Sequence, residues 1–169
     1  MELLHLIGGE QDFSLIDYGC GHGTLADYLH ERGTRCRFIG FDVSQEMADA
    51  AAARHRACGC RFATDRTALA PADYAMASGV FNVRLEVPID CWAAYVLETI
   101  EDVASLGRRG FAFNALSSQV PRERRRPHLY YADPFDLVRH CADRFSPRVA
   151  LLHDRWSHEF TIIVRRTDG

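Results

Sequence analysis

Strand-like and helix-like apolar patterns alternate along most of the chain. Short runs rich in Phe, Ile and Val predict strands, and stretches whose apolar residues recur three and four positions apart predict helices. The predicted strands are 13–16, 36–41, 60–64, 73–78, 110–116, 147–153 and 159–165, and the predicted helices are 24–32, 44–57, 88–106 and 134–145. This alternation predicts an α/β fold whose strands are joined by crossover helices and are mainly parallel.

The last two predicted strands depart from this alternation, because only a short turn through residues 155–157 joins them. Neighbouring strands joined so closely must run antiparallel. The segment 1–9 ahead of the first strand is predicted to form no more than a helical turn or two. We therefore expect a single domain over residues 1–169, with a C-terminal antiparallel hairpin on a parallel sheet and little or no N-terminal cap.

Composition and charge narrow the class of protein. The 169 residues are 47% hydrophobic, enough for one globular core, and a net charge of −3 gives no general attraction to nucleic acid. The apolar runs fall well short of the ~20 residues of a membrane helix, so we expect no membrane association. The N-terminus lacks the basic segment of an export signal, so the expected location is the cytoplasm.

The six cysteines are scattered along the chain and are expected to be reduced in that compartment. Cys58 and Cys60 form the one close pair. No second Cys or His pair stands near them at the spacing of zinc ligands, so we interpret the pair as a turn entering a strand. The sequence therefore gives no expectation of a metal.

The most informative stretch is DYGCGHGT, residues 17–24, which follows the first strand and opens a helix. A strand, a tight glycine turn and a helix are typical of a nucleotide-binding crossover, although the glycines could also be purely structural. Thr24 stands where a dinucleotide fingerprint has its third glycine. The carboxylate of Asp17 would repel a pyrophosphate but attract a sulfonium or ammonium group. These features favour a cationic nucleoside over NAD or FAD.

Leu15 to Gly23 resembles the first motif of the class I S-adenosylmethionine-dependent methyltransferases. The resemblance extends over 13–166 and includes the glycine motif, acids after three strands and the terminal hairpin. It implies a Rossmann-like, doubly wound sheet of order 3-2-1-4-5-7-6, with S-adenosylmethionine as cofactor and S-adenosylhomocysteine as product. Segments 78–82, 113–114 and 129–134 resemble small bacterial methyltransferases that we associate with surface-polysaccharide or secondary metabolism.

Two further acids follow predicted strands. Asp42 lies about 20 residues beyond the glycine loop, where a βαβ unit carries its ribose-binding acid, while Ser44 can cap the next helix. The resemblance implies that Asp65 accepts a hydrogen bond from the adenine amino group, and an exposed turn is the alternative. Met47 can contact adenine or pack in the core. The expected cofactor-binding residues are Asp17, Gly19, Gly21, Gly23, Asp42, Val43, Met47, Asp65, Arg66, Ser78, Gly79 and Phe81.

The resemblance places the end of the fourth strand between the cofactor methyl group and the substrate. Enzymes that methylate base amines or glutamine amides often carry Asn/Asp-Pro-Pro-aromatic there, and this chain has Ser-Gly-Val-Phe-Asn instead. We expect Asn82 and Asn114 to contact substrate, and Phe81 either to orient a ligand or to pack in the core.

A proline-bracketed, arginine-rich loop spans 121–127. It is either a solvated loop or a clamp for a phosphate, carboxylate or RNA backbone through Arg124 and Arg125. Behind it, Asp133 and Pro134 predict a helix start. His128, Tyr130 and Tyr131 precede that start and are the candidates for catalytic proton transfer or substrate contact.

Three functional hypotheses follow. The favoured one is methyl transfer to an oxygen or nitrogen of a small molecule. The short N-terminus suggests a second, a cofactor-binding subunit whose lid comes from a partner or a second copy of the chain. The arginine-rich loop suggests a third, an RNA or protein methyltransferase, which the acidic charge and the missing Pro-Pro motif disfavour.

Overall fold

The computed structural model describes residues 2–155 and 158–166. It contains the strands β1 (Phe13–Tyr18), β2 (Cys36–Phe41), β3 (Arg61–Ala63), β4 (Ala72–Ala77), β5 (Gly107–Leu116), β6 (Val149–Leu152) and β7 (Glu159–Arg165), and the helices α1 (Thr24–Glu31), α2 (Gln45–Arg54), α3 (Ile89–Leu106) and α4 (Pro134–Arg144). Short 3₁₀ helices occupy Glu2–Leu6, Arg66–Ala68 and Arg122–Arg124. Every predicted strand and helix is present, and the predicted turn at residues 156 and 157 lies outside the described residues.

The sheet has the expected order, β3-β2-β1-β4-β5-β7-β6. Strands β1 to β5 are parallel, and β7 pairs antiparallel with both β5 and β6. The chain therefore starts in the middle of the sheet, winds outward through β2 and β3, and then returns to build β4 and β5. The order reverses between β1 and β4, and open α/β sheets bind ligands outside the carboxyl ends of the strands at that point.

Both faces of the sheet are buried, because successive side chains of a strand point to opposite sides. Ile16 lies on the face covered by α3 and α4, in a cluster with Ile100 and Phe111. Leu15 lies on the other face, in a cluster with Leu25 and Leu29 of α1. The N-terminal 3₁₀ helix packs on this second face beside β5 and β7, where its apolar residues Leu3 and Leu6 are buried.

Two element boundaries differ from the predictions for local reasons. Helix α3 runs directly into β5, which begins at Gly107 instead of at residue 110, and a register irregularity opposite Ala72 accommodates the change. Helix α2 ends at Arg54, because the backbone N–H of Cys58 turns back to the carbonyl of His55.

The same turn corrects an expectation about the cysteines. Cys58 and Cys60 are joined by a disulfide, so the prediction that all six cysteines are reduced is wrong for this pair. Cys20, Cys36, Cys91 and Cys141 are free.

A polar network joins β1 and β4 near their amino ends, at the edge of the sheet opposite the carboxyl ends of the strands. The carboxylate of Asp73 accepts hydrogen bonds from the N–H and the hydroxyl of Ser14, at 2.7 and 2.6 Å, and pairs with Arg108 at 3.0 Å. Burial acts to raise the pKa of Asp73, but the bonds from Ser14 and Arg108 outweigh it and lower the pKa to about 2. The ionised carboxylate therefore stabilises the pairing of the two central strands.

Replacing Asp73 with Asn should lower the free energy of unfolding at pH 7 by about 1–2 kcal/mol, because charge-assisted bonds are lost. In the wild type this contribution should disappear as the pH falls from about 4 to 2, since a carboxyl with a lowered pKa stabilises the fold only while ionised. Urea unfolding at pH 7 and pH 3 measures both effects. Asp143→Asn, an exposed position on α4, is the control. Equal stability of the two variants at pH 7 would contradict the assignment.

Candidate active site

The loop from β1 to α1 is a tight turn that only glycines can form easily. Gly19, Gly21 and Gly23 have φ angles of 73°, 52° and 77°, all in the left-handed region. The N–H groups of Gly19 and Cys20 donate to the carbonyl of Phe41, at 2.7 and 2.9 Å, which fixes the loop over the end of β2. Among the described residues, no atom lies within 4 Å of the position where Gly21 would carry a Cβ. The loop therefore leaves open space above its central glycine.

Asp42 connects this loop to the next helix. Its Oδ2 accepts the N–H of Gly21 and its Oδ1 accepts the N–H of Ser44, both at 2.9 Å. Ser44 in turn caps α2 by accepting the N–H of Met47 at 3.3 Å, so the predicted cap is confirmed. Each carboxylate oxygen has a second lone pair, and Asp42 is partly exposed. The side chain can thus hold the loop and still accept two hydroxyl groups of a ligand.

Asp17 is the penultimate residue of β1, just before the loop, and is only 3% exposed. Burial, and secondly the nearby charge of Asp42, raise the pKa of Asp17 to about 7. Two adjacent carboxylates repel each other, and a bound cation would relieve that repulsion. This donor set suits a ligand that combines a ribose with a positive charge.

Around Asp42 some predicted cofactor-binding side chains are exposed, and others already bind residues of the protein. Val43 is 85% exposed next to Asp42 and Met47 is partly exposed, so both are available to a flat apolar ring. Asp65 is exposed and caps the second 3₁₀ helix through the N–H and hydroxyl of Thr67. Arg66 turns toward α3, where its guanidinium pairs with Asp102, which also accepts the hydroxyl of Tyr18.

The segment after β4 is tied down by three hydrogen bonds. Gly79 N–H donates to Asn114 Oδ1 at 2.7 Å, Leu116 N–H donates to Asn82 Oδ1 at 3.2 Å, and Trp92 Nε1 donates to the carbonyl of Phe81 at 2.9 Å. The Phe81 side chain has no exposed surface and packs edge-on against Phe113. Of the two interpretations of Phe81, the structure supports core packing, and the expected side-chain contact with a ligand is corrected.

A cavity of about 290 Å³ opens beyond the ends of β4, β5 and β7 and is lined by Glu2, Leu3, Ser78, Asn114, Arg155, Glu159 and Thr161. The strand register explains why these positions meet. Asp17 pairs with Met76, Met76 with Ala112, and Asn114 with Thr161. Side chains two positions apart on a strand share a face. The cavity therefore lies on the face that carries Asp17, two residues further toward the carboxyl ends of β4 and β5.

Sequence reasoning found Ser78 and Asn114 but missed the residues that β7 and the N-terminal helix contribute. The alternation of polar Glu159 and Thr161 with apolar residues in the EFTIIV stretch could have indicated that these two side chains face a polar cavity. Glu2 had no signal, because only the packing of the N-terminal 3₁₀ helix on the sheet brings it to the cavity.

The arginine-rich loop is mainly held by its own backbone. Arg125 donates from Nε to the carbonyl of Val120 at 2.9 Å and from Nη2 to the carbonyl of Ser118, and its guanidinium lies over the ring of Tyr131. Arg124 is exposed and lines a second cavity of about 350 Å³ together with Tyr131, Leu116 and His158. Arg125 therefore acts first as a structural residue of the loop.

The three candidate catalytic residues lie outside the lining of the first cavity, and Tyr131 lines the second. The carbonyl of His128 accepts the N–H groups of Arg84 and Leu85, and its side chain is exposed. The N–H of Tyr130 donates to the carbonyl of Asn82 at 3.0 Å, and burial raises the pKa of Tyr130. Tyr131 accepts the N–H of Arg126 through its hydroxyl at 3.1 Å.

Comparison with known proteins decides the family. The profile of a family described as a methyltransferase domain matches residues 15–103. Rv1506c of Mycobacterium tuberculosis (strain ATCC 25618 / H37Rv), provisionally named a methyltransferase, is 42% identical over 168 residues, covering 96% of this chain and 99% of that protein. The chain belongs to the class I S-adenosylmethionine-dependent methyltransferases. The cofactor of this methyltransferase is S-adenosylmethionine, and the carboxylates of Asp17 and Asp42 suit its cationic and ribose groups.

Two solved structures share the fold of this methyltransferase. Magnesium protoporphyrin IX methyltransferase of Synechocystis PCC 6803, with bound S-adenosylhomocysteine, has a TM-score of 0.70 at 19% identity, covering 97% of this chain and 78% of that one. The 1,6-didemethyltoxoflavin-N1-methyltransferase of Burkholderia thailandensis, bound to 1,6-didemethyltoxoflavin and S-adenosylhomocysteine, has a TM-score of 0.63 at 21% identity, covering 99% and 76%. In the described part of this methyltransferase, no helix has the length and hydrophobicity needed to cross a bilayer.

The raised pKa of Asp17 predicts pH-dependent cofactor binding. Below pH 7 the ammonium group of S-adenosylhomocysteine must displace the proton of Asp17. Its Kd should therefore fall by up to about tenfold per unit as the pH rises toward 7, and level off above pH 7. Calorimetric titration from pH 5.5 to 7.5 measures this, because the ligand's ammonium group stays charged there. Asp17→Asn should flatten the profile, and a variant that keeps the wild-type slope would contradict the assignment.

The same group predicts how the free protein responds to pH. A carboxyl whose pKa is raised by folding stabilises the fold below its unfolded pKa of about 3.9, and this contribution is lost as the pH rises to 7. Thermal unfolding without ligand should therefore show Asp17→Asn to be more stable than the wild type at pH 8 but not at pH 4. A variant less stable at both values would show that Asp17 is held by another interaction.

Asp42→Asn should weaken binding of S-adenosylhomocysteine by about 1–3 kcal/mol, because charge-assisted bonds to the ribose become weaker. Calorimetry at pH 7.5 gives the affinity, and Asp49→Asn, an exposed position on α2, is the matched control. An unchanged affinity in Asp42→Asn would argue against a ribose contact.

Proposed function

We propose that this methyltransferase transfers the methyl group to an oxygen or nitrogen nucleophile of a polar small molecule. The observation that carries the proposal is the 290 Å³ cavity, which lies beyond the ends of β4 and β5 on the face of the sheet that carries Asp17. A cavity of that size accommodates a small acceptor. Both structural neighbours described above act, by their names, on small molecules, which supports the same substrate class.

The proposal gives each group a part. The glycine loop, Asp42 and Val43 hold the nucleoside, and Asp17 faces the charged end of the cofactor. Bound S-adenosylmethionine supplies an electrophilic methyl group. The chain holds the acceptor in line with that group, and positioning of this kind supplies much of the rate enhancement.

Polar groups of the cavity are proposed to orient the acceptor. Asn114 uses Oδ1 to fix Gly79, and its amide NH₂ has no partner among residues 2–155 and 158–166, so it can donate to the acceptor. The carboxylate of Glu159 is proposed to take the proton that an oxygen or nitrogen nucleophile releases. Glu159 is favoured over His128, Tyr130 and Tyr131 as the proton acceptor because it lines the first cavity and they do not.

The second cavity is proposed to extend the acceptor site. Leu116 lines the second cavity and pairs in register with Glu159, which lines the first, so one residue of each lining is a neighbour of the other across β5 and β7. An acceptor longer than the first cavity would reach Tyr131 and the exposed guanidinium of Arg124. This placement favours acceptors that carry an anionic group at the end remote from the methylated atom.

One observation favours a second candidate, a subunit that needs a partner or a second copy to complete its lid. Val83, Leu85, Val87 and Ile89 are 39–65% exposed and follow one another on the segment between β4 and α3. Val83 pairs with Leu129, so this apolar segment lies next to the residues that precede α4. A covering subunit would bury these side chains.

Transfer of labelled methyl from S-adenosylmethionine to a cell extract separated by size tests the proposal. Label should enter molecules below about 1 kDa, since the first cavity holds only a small molecule. Label in an RNase-sensitive or protein fraction would contradict the proposal. The partner-dependent alternative would be favoured if the protein binds S-adenosylhomocysteine tightly but transfers no methyl group, and if an added protein fraction restores the transfer.

Glu159→Gln tests the proton acceptor once an acceptor is in hand. It should lower kcat about 10²- to 10⁴-fold, as loss of a general base does, and leave the affinity for S-adenosylhomocysteine within about twofold of the wild type. Glu123→Gln, an exposed position on the arginine-rich loop, is the control. Full activity of Glu159→Gln would remove Glu159 from the mechanism without affecting the substrate class.

A further inference from the structure

A cluster of metal-ligating side chains lies outside the active site, in the turn between α2 and β3. His55, Cys58 and Cys60 each offer one ligand atom, and these atoms all lie within 4.8 Å of one another. The turn produces this convergence, because the N–H of Cys58 returns to the carbonyl of His55 and Gly59 adopts a φ of 72°. An imidazole with two sulfurs is a donor set typical of zinc.

The imidazole of His55 has an unmet requirement for a partner. The residue is only 8% exposed, and its Nε2 is buried without a hydrogen bond among the described residues. Oδ1 of Asp27 lies 3.5 Å from that nitrogen, beyond hydrogen-bond distance but close enough to approach after a small movement. Histidines that bind metal through one ring nitrogen usually present the other to a carboxylate in this way.

Space and further donors lie beside the two sulfurs. Cys58 and Cys60 line a cavity of about 60 Å³, to which Cys36 and His30 also contribute. The space exceeds the roughly 30 Å³ share of one water molecule, so a coordinated water fits beside the two sulfurs. Cys58 is exposed, which gives an ion a path of entry.

We propose that His55, Cys58 and Cys60 bind a zinc ion when the two cysteines are reduced. The structure shows the oxidised form, in which the same two sulfurs form a disulfide. A trialkylphosphine with water converts the disulfide to two thiols and itself becomes the phosphine oxide. Binding of Zn²⁺ then releases the two thiol protons and leaves the fourth coordination position to water or to a donor of the adjoining cavity.

The site lies directly behind the cofactor loop. A Cβ placed on Gly23 would lie 2.8 Å from Nε2 of His55, so the ring packs against the backbone that begins α1. The same ring contacts Phe62 with a centroid separation of 5.6 Å. A metal that fixes His55 therefore stabilises the fold around the glycine loop, independently of which acceptor the enzyme methylates.

Cobalt(II) titration of the phosphine-reduced, metal-free protein tests the proposal. One equivalent should produce thiolate-to-cobalt absorption in the near ultraviolet, and one equivalent of Zn²⁺ should abolish it. Cys58→Ser, a change at an exposed position, should bind at least tenfold more weakly, and Cys91→Ser, an exposed cysteine on α3, should match the wild type. Reduced wild type and Cys91→Ser should melt at a higher temperature with Zn²⁺, whereas Cys58→Ser should not.

Two results would overturn the proposal. One is the absence of cobalt absorption in the reduced wild type, with no Zn²⁺ retained at one equivalent after gel filtration. The other is unchanged binding in Cys58→Ser or in the oxidised protein, either of which would locate the metal elsewhere. His55→Gln provides a second check, because it should weaken binding while both thiols remain available.

Discussion

The active site depends on the pair of hydrogen bonds that the carboxylate of Asp42 accepts. This carboxylate accepts the N–H of Gly21 and the N–H of Ser44, and so joins the glycine loop to the start of α2. The ends of β1 and β2 already pair side by side, and Asp42 adds a shared acceptor that fixes the loop against the start of α2. Asp17 lies buried nearby, and the two carboxylates repel each other. We propose that the positively charged groups of S-adenosylmethionine relieve this repulsion when the cofactor binds.

The sheet extends this site across its width on a single face. Asp17 on β1 pairs with a residue of β4 that in turn pairs with Ala112 on β5. Asn114 lies two residues beyond Ala112 on the same face and pairs with Thr161 on β7. The character of the face changes along this path, from buried acid to amide to hydroxyl, and Glu159 lies at its far end. The antiparallel hairpin supplies Thr161 and Glu159, two of the polar groups that line the cavity proposed for the acceptor.

Polar residues on the flanks serve the fold before they serve a ligand. The guanidinium of Arg125 binds two carbonyls of its own loop, and that of Arg66 pairs with Asp102 on α3. Phe81 fills the core between the end of β4 and the end of β5. Such roles depend on carbonyls, acids and apolar surfaces that lie far away in the sequence, and composition alone gives no indication of them.

The amino-acid sequence by itself determined the local features: the strand and helix periods, the caps at Ser44 and Asp133, the antiparallel hairpin and the glycine loop with its acid. Each depends on residues within a few positions of one another, so a pattern can record it. The tertiary structure alone decided that Glu159 lines the cavity and that Asp17 is buried beside a second carboxylate. The physical reason is that burial and long-range contact follow from sheet order and register, which set the neighbours of each side chain across strands rather than along the chain.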